Sequence, residues 1–135
     1  MEFTPLNAMK QGMKVLVAYD GSDHADKAVK EAIDIAKCFR ASIELVHCSW
    51  EQSVDKSMTL LKTKEPELKE AGIKYNLKDI RGEMPGPKIV KLAEDDGFDV
   101  IVMGTRGMST VRTFFMGSVS SHVIEKVEIP VVVVK

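Results

Sequence analysis

The stretch MKVLVAYDGS, Met13 to Ser22, is an apolar run that ends on the corner Asp20-Gly21-Ser22. A strand covered on both faces has such a continuous run, and a DGS corner is suited to the turn that carries a strand into a helix. Ser22 can cap that helix with its hydroxyl. Beyond it, Ala25, Ala28, Val29, Ala32, Ile33 and Ala36 fall at the spacing of one helical face, which predicts a helix to about Phe39.

Working outward, Ser42 to Cys48 (SIELVHC) is a second strand, and Gln52 to Leu68 has apolar residues at helical intervals, with Pro66 expected to break or kink it. Ile73 to Ile80 alternates Ile73, Tyr75 and Leu77 with Lys74, Asn76 and Lys78, the period of an edge strand with one wet side. Pro87 to Asp96 predicts a helix ended by Gly97, Phe98 to Met103 (FDVIVM) a buried strand, Ser118 to Val127 a helix, and VVVVK a fifth strand. Strands alternating with helices imply parallel neighbours joined by helical crossovers. The expected fold is therefore α/β, an open parallel sheet of five strands with helices on both faces. At 135 residues the chain suits one domain, placed at 13–135, with 1–12 as an N-terminal arm expected to be flexible.

Nineteen basic residues stand against twenty acidic ones, for a net charge of −1, and neither sign gathers in blocks. Nucleic-acid binding draws on a basic stripe, which this chain lacks. The N-terminal stretch has no apolar signal region, and no segment approaches the roughly 18 apolar residues of a membrane span, so a cytoplasmic location and no membrane partner are expected. Cys38 and Cys48 form no CxxC pattern and are expected as reduced thiols in or near the core.

The residues suited to chemistry follow the fourth strand. Gly104 and Gly107 come directly after FDVIVM, and Gly117-Ser118 opens the last helix, giving the spacing G-x2-G-x9-G-S. Glycines allow main-chain N–H groups close to phosphate oxygens, and a helix N-terminus adds unpaired donors with the positive end of a dipole. Two glycines after a strand can equally serve a turn alone. In an open parallel sheet, however, ligands bind beyond the carboxyl ends of the strands where the strand order reverses. Asp20 and Gly104 would both lie there if the first and fourth strands were neighbours. Asp20 could accept a bond from a ribose hydroxyl, approach a Mg2+ held by phosphates, or close an Asx-turn.

These motifs, MKVLVAYDGS, VIVMGTRG, FFMGSVSSHVI and IPVVVVK, resemble the universal stress protein family over Met13 to Lys135. The unbroken G-x2-G-x9-G-S spacing resembles that family's ATP-binding branch. The resemblance implies strand order 3-2-1-4-5 in a Rossmann-like, adenine nucleotide alpha hydrolase-like fold, with ATP across the ends of strands 1 and 4. It also implies that Asp20 contacts ribose or metal, that Cys48 borders adenine, and that Met103 and Gly104 reach the nucleotide. Gly107, Gly117, Ser118 and Val119 would surround the phosphates. Many relatives have Val or Ile where this chain has Cys48.

Arg106 and Arg112 could clamp phosphates or stand solvated. No GxxxxGK[ST] occurs, so the P-loop lysine is missing, and no catalytic residue is assigned. Retention of ATP, with at most slow hydrolysis, is the expectation. His24, His47 and His122 lie on three elements without metal-ligand spacing, and His24 is expected to face water. The apolar connection Met108 to Met116 suits either a short helical turn packed on the sheet end or a surface read by a partner. An uninterrupted Val131 to Val134 edge predicts a homodimer by antiparallel strand pairing. The resulting reading is an ATP-binding regulatory dimer in a stress response, with an unknown protein partner. The alternatives are a weak Mg-dependent ATPase or phosphotransferase, and an interaction dimer without nucleotide.

Overall fold

The computed structural model describes residues 12–49, 52–82, 84–105 and 118–135. The strands are β1 (Lys14–Ala18), β2 (Ser42–Ser49), β3 (Tyr75–Arg81), β4 (Val100–Gly104) and β5 (Val131–Val134). The described helices are α1 (Asp23–Phe39), α2 (Val54–Lys62), α3 (Glu65–Glu70), α4 (Pro85–Asp95) and α5 (Ser118–Lys126). All four strand pairings are parallel, as expected from the alternation of elements, and the order β3-β2-β1-β4-β5 is the one that the family resemblance implies. The order reverses between β1 and β4.

Successive residues of β1 point to opposite faces, and the core divides accordingly. Val15 and Val17 pack with α1, Leu61 of α2 and Leu68 of α3 on one face. Leu16 packs with Ile89 and Ala93 of α4 and Val123 of α5 on the other. Leu16 and Ile101 are completely buried, and removing such a side chain from water is worth about 1.5–3 kcal/mol. β3 is an edge, with half-buried and exposed residues alternating through Lys78.

Local signals account for most boundaries. Ser22 Oγ accepts from the Ala25 N–H at 3.1 Å, which caps α1 as its sequence predicts. Gly21 sits at φ +85°, where only glycine is unstrained, so the DGS corner can turn sharply out of β1. Pro66 does not interrupt a long helix. The chain leaves α2 at Thr63 and starts α3 at Glu65, placing Pro66 in the first turn. No intrahelical partner is required of its nitrogen there. Cys38 also departs from expectation: it is exposed on α1, off the alanine stripe that faces the sheet. No helix among the described residues is long and apolar enough to cross a membrane.

Candidate functional site

At the carboxyl ends of β1, β2 and β4 the structure opens a cleft of about 320 Å³. Ala18, Val46, Ile89 and Met103 supply an apolar floor, and Asp20, Thr105, Ser118 and Ser120 contribute polar groups. The cleft lies where β1 and β4 are parallel neighbours and the strand order reverses.

Of the expected site residues, Asp20, Cys48, Met103, Gly104, Ser118 and Val119 all line this cleft. Arg106, Gly107 and Gly117 lie outside the described residues, as do Arg112 and the connection Met108 to Met116. Residues 1–11 of the expected arm do so as well. Asp20 closes an Asx-turn, its Oδ1 accepting from the Ser22 N–H at 2.9 Å, and the same carboxylate borders the cleft. Among the described residues no group of three or more His, Cys, Asp or Glu could hold a metal.

Gly104 has a packing role that its place in a glycine motif conceals. A Cβ there would stand 2.7 Å from His24 Cβ and 2.9 Å from the His24 carbonyl carbon, so the first turn of α1 lies directly on the end of β4. The next residue, Thr105, joins three elements. Its hydroxyl shares a 2.6 Å hydrogen bond with His24 Nδ1, its N–H donates to Val134 O at 2.9 Å, and its carbonyl accepts from Ser120 Oγ at 3.0 Å. His24 is thus half-buried and bonded to Thr105, where its sequence position suggested water. The Ser120 bond ties the end of β4 to the first turn of α5.

At the β2 end, burial pushes the Cys48 thiol up to about 11, with Asp79 adding to the effect and Lys88 opposing it. The thiol is neutral near pH 7 and contributes a small apolar surface. His47 beside it is buried, and its Nδ1 shares a 2.8 Å hydrogen bond with Ser57 Oγ of α2. Burial holds this imidazole below the ordinary histidine range despite Asp79 and Asp20. Sequence reasoning missed Ser57, Thr105 and Ser120, whose local patterns carry no signal, and it left His47 without a role.

A second polar cluster lies on the α1 face. Tyr19 donates its hydroxyl to Asp26 Oδ1 at 2.7 Å, and Lys64 pairs with the same carboxylate at 2.6 Å and with Glu67 at 3.1 Å. Burial raises the Tyr19 hydroxyl to about 12, and its bond to Asp26 reinforces the shift.

The model of the universal stress protein family matches residues 13–135. This chain belongs to the universal stress protein family. A universal stress protein of Methanocaldococcus jannaschii is 32% identical over 139 residues, covering 90% of this chain and 81% of that protein. A universal stress protein solved in complex with cAMP superposes with a TM-score of 0.75 at 25% identity, covering 91% of this chain and 97% of that one. The universal stress protein from Archaeoglobus fulgidus solved in complex with dAMP gives 0.71 at 25% identity, over 91% and 98% of the two chains. For this universal stress protein, the strand order and the helices on both faces thus agree with its relatives, as its sequence implied.

Proposed function

We propose that this universal stress protein binds ATP in the cleft, as a regulatory dimer that retains the nucleotide. The observation that carries the reading is the meeting of Asp20 with Gly104 and Ser118 at the one place where the strand order reverses. Nucleotide complexes of two relatives support it. The apolar floor beside Cys48 and Met103 takes adenine, Asp20 takes ribose, and Gly107, Gly117, Ser118 and Val119 surround the phosphates, with Arg106 beside them. Any Mg2+ arrives on those phosphates, with Asp20 as the carboxylate among the described lining residues.

Retention is favoured over turnover because the motif supplies neutral donors and lacks the P-loop lysine. The dimer forms in the cytoplasm through Val131 to Val134. A nucleotide-dependent surface is read by a regulatory protein during stress.

Denaturing the purified protein and chromatographing the supernatant tests the binding: released ATP is expected. Calorimetry on stripped protein should then detect ATP binding that Gly117→Val abolishes, and wild-type affinity in that variant would overturn the phosphate assignment. With Mg2+ present, ADP should accumulate slowly. Turnover at about 1 s⁻¹ or faster, an ordinary enzymatic rate, would make the protein an enzyme instead.

A further inference from the structure

His47 is 7% exposed, lines the cleft, and meets Ser57 through Nδ1. Ser57 is completely buried, and a sealed hydroxyl needs an acceptor for its proton. Among the described residues the only hydrogen-bond partner of Ser57 Oγ is His47 Nδ1, so the hydroxyl donates and the ring nitrogen accepts. A neutral imidazole that accepts at Nδ1 carries its hydrogen on Nε2. That Nε2–H has no partner among the described residues, where no side-chain nitrogen or oxygen is both sealed and unpaired. That nitrogen is therefore not sealed, and His47 is among the residues that line the cleft.

We propose that His47 is a specificity-determining residue that donates Nε2–H to a ribose hydroxyl oxygen while Asp20 accepts from a ribose hydroxyl. This rests on the nucleotide reading of the cleft. β1 and β2 are paired with Ala18 opposite Val46, and the Tyr19 N–H donates to Val46 O at 2.8 Å, so His47 and Asp20 stand at adjacent strand ends. Asp20 Oδ1 is engaged by Ser22, and its second oxygen remains as an acceptor. One fixed donor beside one fixed acceptor matches a hydroxyl, which accepts and donates at once. A phosphate, which Asp20 repels, does not satisfy both; an adenine edge, with its N6–H donor beside ring-nitrogen acceptors, would, but in the nucleotide reading the base takes the apolar floor beside Cys48 and Met103.

Calorimetric titration of the stripped full chain with ATP, 2′-deoxy-ATP and 3′-deoxy-ATP tests the assignment. The wild type should favour ATP over at least one deoxynucleotide by about 5- to 10-fold, the range of a single net hydrogen bond. His47→Leu combined with Ser57→Ala removes both partners together and strands no buried hydroxyl. It should lose that factor for ATP while binding the disfavoured deoxynucleotide unchanged. His47→Asn keeps an acceptor for Ser57 but has no donor at the ε position, so it should lose the preference even if the double variant folds poorly. Wild-type preference retained in His47→Asn, or ATP binding without any preference in the wild type, overturns the role of His47 alone. A wild type that takes up no nucleotide overturns the nucleotide reading and this inference together.

Discussion

Gly104 and His24 are packed so closely that a Cβ on the glycine would approach the His24 backbone to 2.9 Å. That contact sets the first turn of α1 against the end of β4, and both elements flank the cleft. Gly104→Ala should push α1 outward and destabilise the fold by about 1–3 kcal/mol, the usual cost of overpacking. Urea unfolding with an unchanged slope and a lower midpoint would register it. A midpoint equal to wild type would mean that α1 shifts freely.

Asp26 links stability to acid pH. Burial opposes its ionisation, but the hydrogen bonds from Lys64 and Tyr19 outweigh that and hold the carboxyl below its ordinary 3.8. A carboxyl depressed by folding contributes stability that is present above about pH 3.8 and lost as pH falls through the lower folded value. With its side chain 37% exposed, screening limits the contribution to about 1 kcal/mol or less. Asp26→Asn should therefore be slightly less stable than wild type at pH 6. The two unfolding free energies should converge as pH falls below 3.8. A gap that stays constant with pH would assign the effect to packing.

The two thiols should separate by reactivity. Cys38 is exposed, whereas burial raises Cys48 to about 11, and thiolate is the attacking species. Treatment with iodoacetamide at pH 7.5 followed by peptide mass mapping should find Cys38 alkylated at least about 10-fold faster than Cys48. Equal rates would show that the cleft admits the reagent and ionises the thiol.

At the β5 edge, Pro130 O and Val134 O accept from β4, at Ile101 N–H and Thr105 N–H. In a parallel ladder alternate residues turn to alternate sides, so Val131 and Val133 direct their N–H groups away from β4. Val133→Pro removes one outward donor and leaves the inward ladder intact, a placement that edge strands tolerate. If β5 forms the dimer, light scattering should detect a dimeric wild type and a largely monomeric variant. An equally dimeric variant would place the interface elsewhere.

Much of this architecture was legible from local chemistry. Ser22 as a cap, the alanine stripe of α1 and the apolar runs of β1 and β4 are consequences of short-range periodicity and hydrogen-bond need. Pro66 predicts a break because its incompatibility with a helix interior is local, whereas its place in a first turn depends on where α2 ends. Cys38 lies next to the buried stripe in sequence but turns away from it in space, which short-range apolar context does not encode.

The sequence by itself determined the alternation of strands and helices, the Asp20-Gly21-Ser22 corner and the glycine spacing from Gly104 to Ser118, since each depends on residues close in the chain. Tertiary structure alone decided that Thr105 ties α1, β5 and α5 together and that Ser57 orients His47. Thr105 and His24 are 81 residues apart, and the Thr105 and Val134 pairing depends on sheet register. Such partners meet only because the order β3-β2-β1-β4-β5 sets β4 between β1 and β5, and no periodicity within a segment encodes that adjacency.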